Sequence, residues 1–176
     1  MNKQESIAFV WHKIVDEVAV VIKDEPMLAN FLQTTVLDHS NMGESLGFHL
    51  ASKLSSKAIP FATLLPLLNE IFASDQVLYA ASRDIQATVD RDSACSVYST
   101  PFLYFKGFLA LQAYRVTHQL WNKGNHSLAL MLQHSISTHF AVDIHPAAKI
   151  GSGILIDHAT GLVIGETAVV EDSVSI

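Results

Sequence analysis

Apolar residues in the first part of the chain recur at intervals of three and four, the spacing of one face of an α-helix. The clearest example lies within residues 6–23, where one continuous stripe is formed by Ile7, Val10, Trp11, Ile14, Val18, Val21 and Ile22. Similar spacing predicts further helices over residues 27–38, 44–54, 76–89 and 127–140. The pattern therefore predicts an all-α region over residues 1–140.

Prolines indicate where several of these helices begin. Pro26, Pro60 and Pro101 each fit the first turn of a new helix, where a missing N–H costs nothing. Ser99 or Thr100 is expected to cap the helix that contains Pro101. A helix start is thus predicted near each of the three prolines.

One long helix is predicted after Pro101. Gly124 follows Lys123 at the point where the end of this helix favours a left-handed residue. The polar segment 90–96 has poor periodicity and is predicted to be a loop. The apolar positions of the helix recur at helical spacing: Phe102, Phe105, Leu109, Ala113, Val116 and Leu120.

After Val142 the period of the apolar positions changes to six. Short strands joined by tight turns explain this period, with one aliphatic side chain per hexad in the core. Gly151, Gly161 and Gly165 are expected to adopt turn conformations closed to other residues. The repeating positions are Ile144, Ile150, Ile156, Leu162, Ala168 and Val174, with small or branched residues at Ala148, Ile154 and Thr160.

A second register is visible in the same region. Ile164, Val170 and Ile176 also stand six residues apart, so we predict a shift of two residues near Leu162 that a turn absorbs. Three hexads would form one triangular coil, and successive coils would stack as parallel strands. The alternative is an ordinary pair of buried strands. The predicted fold is α + β, with helices first and the start of a parallel β-helix second.

Composition and charge narrow the functional classes. The net charge is −6 and basic residues do not cluster, so nucleic acid is not an expected partner. The apolar stretch 18–22 is far shorter than the roughly 20 residues of a membrane span. Residues 1–5 do not resemble a signal peptide, and the single Cys95 fits a reducing compartment, so we expect a cytoplasmic protein. The hydrophobic content of 49% leaves apolar surface that we attribute to contacts between subunits.

Several motifs together resemble the serine acetyltransferase family of hexapeptide-repeat acyltransferases. The resemblance covers the whole chain and is strongest from Asp90 onward, although Ser93 stands where many relatives have proline. It implies a helical oligomerisation domain over residues 1–140 and the first coils of a left-handed β-helix over 141–176, C-terminally truncated. The motifs are VDIHPAAKIG from Val142, IDHATG from Ile156, IGETAVV from Ile164, RDSAC from Arg91, YSTP from Tyr98, KGF from Lys106 and LQAYR from Leu111.

The resemblance implies transfer of acetyl from acetyl-CoA to the hydroxyl of L-serine, giving O-acetylserine for cysteine biosynthesis. A serine hydroxyl is too weakly acidic to ionise freely, so a base must take its proton during attack on the thioester. Histidine suits this role, and His158 is the candidate. By resemblance, Asp143 is its partner, which fixes the tautomer, and Asp92 and Asp157 contact the amino acid substrate. Asp143 and His158 are fifteen residues apart, so they could face each other on stacked turns.

The resemblance also places further functional parts beyond Ile176. It implies an Arg-His pair for the substrate carboxylate, most of the acetyl-CoA contacts, and a tail that binds O-acetylserine sulfhydrylase. For the 176-residue chain we therefore expect a folded homo-oligomer, based on trimers or a dimer of trimers, without acetyl transfer of its own. No bound cofactor is expected. No metal is expected either, because His134, His139 and His145 lack a helical pair at i and i+4.

Three other functions stay open at this point. The chain could be an oligomerisation module without turnover. It could belong to the γ-type carbonic anhydrases, which also use a left-handed β-helix but need several metal-binding histidines. It could also be a sugar or xenobiotic acetyltransferase, although the long helical region argues against that.

Overall fold

The computed structural model describes residues 2–176, which form a helical region followed by short parallel strands. The helices are α1 (Lys3–Asp24), α2 (Ala29–Leu32), α3 (Met42–Leu54), α4 (Phe61–Phe72), α5 (Asp75–Arg91), α6 (Ser99–Tyr104), α7 (Lys106–Asn122) and α8 (His126–Phe140). The strands are β1 (Val142–Ile144), β2 (Lys149–Ile150), β3 (Leu162–Ile164) and β4 (Val169–Val170). No helix within residues 2–176 is both long and apolar enough to cross a membrane.

The first helix forms as its apolar stripe predicts. Val10, Ile14 and Val18 are fully buried along its length. Its start carries a reciprocal cap, in which the Asn2 side chain accepts from the Glu5 N–H and the Glu5 carboxylate accepts from the Asn2 N–H. This face packs against α5, while α3 packs against α4 and α7 against α8. The helices thereby enclose one apolar core.

The segment after Pro26 is helical but irregular. Pro26–Leu28 forms a 3₁₀ turn, α2 follows, and Gln33–Leu37 forms a π-helical turn. The prediction of helical structure over 27–38 is therefore confirmed, although a single regular α-helix was expected. Pro60 is the N-cap residue of α4 and not part of its first turn, so that placement was wrong by one residue.

The long helix predicted after Pro101 is in fact two helices. Phe105 adopts an extended conformation, with φ −80° and ψ 110°, between the end of α6 and the start of α7. The break places Gly107, the second residue of α7, directly against the backbone of Ile156, where a side chain would overlap the Ile156 carbonyl oxygen. This contact is remote in sequence, so helical periodicity alone cannot reveal the break.

The cap of α6 also differs from the prediction. Neither Ser99 nor Thr100 caps it; Tyr98 occupies the N-cap position and makes no side-chain cap. Instead, the Glu17 carboxylate on α1 accepts from the Tyr98 N–H at 3.1 Å and from the Ser99 N–H at 2.7 Å. A carboxylate is well suited to a helix N-terminus because free N–H groups and the helix dipole both favour negative charge there. Gly124 has the predicted left-handed conformation after α7, with φ +84°.

The strands pair in parallel with a constant offset. Val142, Asp143 and Ile144 pair with Leu162, Val163 and Ile164, and Lys149 and Ile150 pair with Val169 and Val170. An isolated bridge joins Leu155 to Ser175 at the same offset. Each pair is therefore separated by three hexads plus two residues, which confirms the predicted shift.

Some details of the repeat were predicted incorrectly. Gly161 has a left-handed conformation, with φ +83°, as expected, whereas Gly153 rather than Gly151 or Gly165 is the other left-handed glycine of the coils. Position 151 instead requires glycine because the Asp172 carboxylate lies where a Cβ atom would be. Thr160 is exposed and does not fill the coil interior. The helix α5 continues through Arg91, so the predicted loop begins only at Asp92.

Candidate active site

The first coil is two residues longer than three hexads, and the extra residues lie in a turn. This turn carries two of the predicted site residues, Asp157 and His158. His158 and Ala159 have positive φ values of 52° and 61°, which non-glycine residues adopt rarely and mainly where function or packing requires it. The Leu162 N–H donates to the Ala159 carbonyl at 3.1 Å within the turn, and the Gly161 N–H donates to the Ala141 carbonyl at 2.8 Å, which attaches the turn to the start of the first coil. The side chains of Asp157 and His158 are 59% and 95% exposed, so the turn presents both to solvent.

The third predicted site residue, Asp92, is held by the end of α5. Its N–H donates to the Thr88 carbonyl at 2.9 Å, and its side chain accepts from the Ala94 N–H at 2.9 Å. The carboxylate thus stabilises the chain reversal that follows the helix. Asp92 is half-buried, and its second carboxylate oxygen has no hydrogen bond among the described residues.

These three residues line one pocket. Asp92, Asp157 and His158 border a space of about 310 Å³ between the helical region and the first coil. The pocket contains two carboxylates and the single ammonium of Lys106, so its charge favours a ligand with a positively charged group. The remaining lining residues are Ala94, Tyr104, Phe105, Gly107 and Ile156.

The start of α7 forms one wall of this pocket. Gly107 packs on the Ile156 carbonyl immediately before Asp157. The Lys106 ammonium donates to the Thr160 hydroxyl on the other side of His158. The turn that carries His158 is therefore in contact with α7 on both sides.

The fourth predicted residue, Asp143, is also on the first coil but does not line this pocket. It sits in β1, where its Oδ1 accepts from the Gln133 side-chain amide at 2.6 Å. Within residues 2–176 no hydrogen bond joins Asp143 to His158, and the carboxylate recorded near His158 is Asp157, with 3.8 Å between Nε2 and Oδ1. The structure thus brings together three of the four predicted residues.

A buried ion pair attaches the first coil to the helices. Arg115 on α7 donates to Asp84 on α5 at 2.6 Å, and the same nitrogen donates to the Gly151 carbonyl at 2.9 Å. Asp84 also accepts from the Ile154 N–H at 2.9 Å and from the Gln112 side chain at 3.0 Å. Complete burial raises the pKa of Asp84, and the Arg115 guanidinium opposes that rise. The pair therefore joins two helices and the coil at one point.

The structure also contains pockets away from these residues. A pocket of about 400 Å³ lies beside Arg115, His118 and Asp172 but contains none of the four predicted residues. Among the residues that the structure describes, no group of three or more His, Cys, Asp or Glu side chains could hold a metal ion.

Comparison with known proteins identifies the family. The family described as "Serine acetyltransferase, N-terminal" matches residues 10–113. The serine acetyltransferase of Salmonella typhimurium is 51% identical over 173 residues, which cover 98% of this chain and 63% of that protein. This chain belongs to the serine acetyltransferase family. Serine acetyltransferase 4 of Arabidopsis thaliana is 45% identical over 168 residues, covering 95% of this chain and 47% of that protein.

Solved structures of serine acetyltransferases share the fold. A soybean serine acetyltransferase complexed with serine superposes with a TM-score of 0.94 at 46% identity, covering 97% of this chain and 71% of that one. A serine acetyltransferase in complex with CoA gives a TM-score of 0.94 at 48% identity, covering 97% and 72% of the two chains. The parallel strands are thus the start of the left-handed β-helix of this family. The chain spans about 63% of the length of the Salmonella relative.

Several residues of the site were not assigned a role from the sequence. Lys106 and Gly107 belonged to a motif that supported the family resemblance, yet nothing in their spacing indicated contact with the turn at Asp157. Asp84 and Gln112 lie on helical faces that the apolar pattern does not distinguish. A buried aspartate opposite an arginine on another helix is visible only once the helices are packed.

Proposed function

We propose that the pocket binds L-serine and that the protein transfers acetyl from acetyl-CoA to the serine hydroxyl, giving O-acetylserine for cysteine biosynthesis. The main support is that Asp92, Asp157 and His158 line one pocket in a member of the serine acetyltransferase family. The soybean relative complexed with serine and another relative in complex with CoA agree with these two substrates. The family assignment also favours this function over that of a carbonic anhydrase or of a sugar or xenobiotic acetyltransferase.

The two carboxylates of the pocket are proposed to bind the substrate ammonium. Asp92 and Asp157 come from different parts of the fold, the end of α5 and the turn of the first coil, and both line the same space. Two carboxylates around one ammonium give charge-assisted hydrogen bonds from opposite sides. This arrangement would orient the serine hydroxyl relative to His158.

His158 is proposed to act as the general base. Its imidazole would take the hydroxyl proton while the serine oxygen attacks the thioester carbonyl carbon of acetyl-CoA. When the tetrahedral intermediate collapses, the carbon–sulfur bond breaks and the imidazolium returns the proton to the departing CoA sulfur. The exposure of the His158 side chain leaves it accessible to both substrates.

Asp143 is proposed as the partner of His158. Gln133 occupies its Oδ1, while Oδ2 has no hydrogen bond among the described residues and could accept from the imidazole. Such a bond would hold the tautomer in which the other ring nitrogen faces the substrate. It requires the His158 side chain to turn from Asp157 toward β1.

Replacement of His158 tests the catalytic proposal. Joining this chain to the C-terminal part of the Salmonella relative would give a protein of that relative's full length, in which His158→Ala should lower acetyl transfer by roughly 10²- to 10⁴-fold. Release of free thiol from acetyl-CoA measures the rate. His12→Ala, on the exposed face of α1, is the matched control and should retain full activity. Near-normal turnover of His158→Ala would exclude it as the base.

The serine site can be tested on the 176-residue chain directly. Asp157→Asn should weaken L-serine binding in calorimetric titration by roughly tenfold, because the ammonium loses a charged partner. Asp90→Asn is the control, since Asp90 is exposed and does not line the pocket. Unchanged serine affinity in Asp157→Asn would contradict the assignment of this carboxylate.

We also propose that residues 1–140 act as a helical oligomerisation domain and that 141–176 supply the contacts of a trimer or of a dimer of trimers. Val163 and Val169 on the coils are 70% and 61% exposed, which leaves apolar side chains for a neighbouring subunit to cover. Light scattering after size-exclusion chromatography would measure the subunit number. The 176-residue chain alone is proposed to lack acetyl transfer activity. O-acetylserine sulfhydrylase is proposed as a partner of the full-length protein. Both proteins are proposed to act in the cytoplasm.

A further inference from the structure

We propose that Arg91 is a positioning residue for the serine site, because its guanidinium joins the corners of two successive coils to the C-terminal end of α5, immediately before Asp92. The inference rests on the proposed function, since it concerns how the proposed serine carboxylates are brought together. Arg91 does not line the pocket itself.

The Arg91 contacts all arise from one nitrogen. Its Nη1 donates to the Gly153 carbonyl at 3.1 Å, to the Ser173 carbonyl at 3.1 Å and to the Ser175 hydroxyl at 3.3 Å. Gly153 belongs to the first coil, whereas Ser173 and Ser175 belong to the second. A single charged donor therefore bridges both coils, and hydrogen bonds from charged donors are stronger than those between neutral groups.

The two carbonyls occupy equivalent corners of the β-helix. Gly153 and Ser173 differ by the same offset as the paired residues Leu155 and Ser175. Both corners are left-handed, with φ values of 71° at Gly153 and 62° at Ser173. The same unusual conformation thus recurs in both coils at the residues whose carbonyls meet Arg91. One residue earlier, the Asp172 carboxylate accepts from the Ser152 N–H at 2.6 Å, which fixes the spacing of the corners.

The helix α5 meets this corner at two points. Asp84 and Arg91 are seven residues apart, about two helical turns, and so lie on the same face of α5. Asp84 accepts from the Ile154 N–H, while Arg91 donates to the adjacent Gly153 carbonyl. Two points of attachment prevent α5 from pivoting about either one.

The positioning effect follows from where the attachment lies in the chain. Asp92 directly follows Arg91, and Asp157 and His158 follow Gly153 by only four and five residues. The Arg91–Gly153 bond is therefore the short link between the carboxylate at the end of α5 and the turn of the first coil. Its loss should let the two sides of the pocket move relative to each other while the helical core stays intact.

Arg83 provides a matched comparison on the same helix. Its guanidinium lies near the same corner, 3.7 Å from where a Gly153 Cβ would be, yet it makes no hydrogen bond within the described residues. A purely electrostatic effect of a cation near the coil would be shared by Arg83 and Arg91. A positioning effect through hydrogen bonds would be specific to Arg91.

The test compares Arg91→Met, Arg91→Lys and Arg83→Met in the 176-residue chain. Amide hydrogen exchange is measured for the coil N–H groups that bond between coils, those of Leu155, Asp157 and Ile176, and for α3 as a reference. L-serine affinity is measured by calorimetric titration. Arg91→Met should speed exchange of the coil amides by about tenfold and weaken serine binding by a similar factor, since a charged hydrogen bond is lost. Arg91→Lys should restore much of both, and Arg83→Met should match the unmodified chain.

Each other outcome overturns the proposal. If Arg91→Met and Arg83→Met exchange alike, or if exchange rises equally in α3, Arg91 has no specific effect on the coils. Weaker serine binding without faster coil exchange would mean that Arg91 acts on the ligand directly. Faster coil exchange with unchanged serine affinity would make it purely structural.

Two further results have defined meanings. If the unmodified chain does not bind serine, the affinity is measured in the protein joined to the C-terminal part of the Salmonella relative, and absence of binding there contradicts the proposed function. The exchange measurement still decides whether Arg91 fixes the turn. If Arg91→Met does not fold, Arg91→Gln, which loses the charge but keeps a polar side chain, is compared with Arg83→Gln. Identical coil exchange in those two variants then overturns the proposal.

Discussion

The helical region and the second coil bury their apolar side chains to very different degrees. In the helical region Leu32, Leu46 and Leu50 are completely buried, because side chains from several helices meet around them. In the second coil Ile164 is 8% exposed, whereas Val163 and Val169 are largely exposed. A helix bundle closes its core within a few elements, whereas a coil of a β-helix needs neighbouring coils on both sides.

The first coil lies between these extremes. Ile144, Ala148 and Ile154 are at most 2% exposed, although the coil itself has few residues. Its cover comes from α7 and α8 on one side and from the second coil on the other. The order of the first coil, and with it the turn that carries His158, therefore depends on the helices as much as on its own hexads.

Of the changes considered, removal of the Asp84 carboxylate should cause the largest loss of stability and the largest difference in stability between the helices and the coils. Asp84→Asn leaves the buried Arg115 without its charged partner, which typically costs about 3–5 kcal/mol of folding free energy. Urea denaturation measures the loss. Because residues 141–176 contain no tyrosine or tryptophan, the fluorescence of the tyrosine and tryptophan side chains reports on the helices, and the exchange protection of the Leu155 and Asp157 amides reports on the coils. The comparison of regions predicts that the fluorescence change occurs at a higher urea concentration than the loss of amide protection. Simultaneous loss of both would mean that the regions form one cooperative unit. Asp90→Asn on the exposed side of α5 is the control.

Addition of a methyl group at Gly107 should have a smaller effect at the same boundary. Gly107→Ala would push α7 from the Ile156 carbonyl and should cost about 2 kcal/mol, the usual magnitude for overpacking a tight contact. Gly165→Ala is the matched control, because nothing lies within 4 Å of a Cβ at that position. Thermal unfolding compares the two variants. Equal stability of both would show that the close approach of α7 to the coil is not required.

The smallest of the expected effects is a loss of stability of the helical region at acidic pH, caused by His49. Burial lowers the pKa of His49 from 6.5 to about 4, and its Nε2 hydrogen-bonds the Leu103 carbonyl at 3.0 Å. His49 therefore binds a proton near pH 6.5 in the unfolded chain but only near pH 4 in the folded chain. Its contribution to the free energy of unfolding is fully present above pH 6.5 and is lost as the pH falls toward 4.

The expected loss between pH 7 and pH 5.5 is about 1 kcal/mol. It is measured as the difference in urea-unfolding free energy between the unmodified chain and His49→Gln, which keeps a donor for Leu103 but does not titrate. Other titrating groups contribute equally to both proteins and cancel. An equal pH dependence of the two would contradict the assignment of this loss to His49.

Much of the architecture could be predicted from local pattern. The stripe of α1 and the left-handed Gly124 depend on neighbours a few residues away, and both predictions are confirmed. The two-residue shift between hexads was visible as two overlapping registers and is confirmed by the pairing of Ile144 with Ile164. By contrast, the break at Phe105 and the Glu17 cap of α6 depend on contacts between distant segments, and neither was predicted.

The candidate site divides in the same way. Asp92, Asp157 and His158 were chosen because motifs in the sequence resemble a family, and packing then places them around one pocket. The role of Asp143 stays a prediction, since its recorded partner is Gln133. The contacts that hold the pocket together, from Asp84, Lys106 and Arg91, carried no signal in the sequence because each joins residues more than fifty positions apart.

The amino-acid sequence by itself determined where most of the helical structure lies, where the hexads begin and which family the chain resembles, because periodicity and motifs are local properties of the chain. Only the tertiary structure decided how the first coil is attached to α5 and α7, and therefore how Asp92 comes to face Asp157 and His158. The physical reason is that burial of Asp84 and Arg115, and the close approach of Gly107 to Ile156, exist only after distant elements have packed.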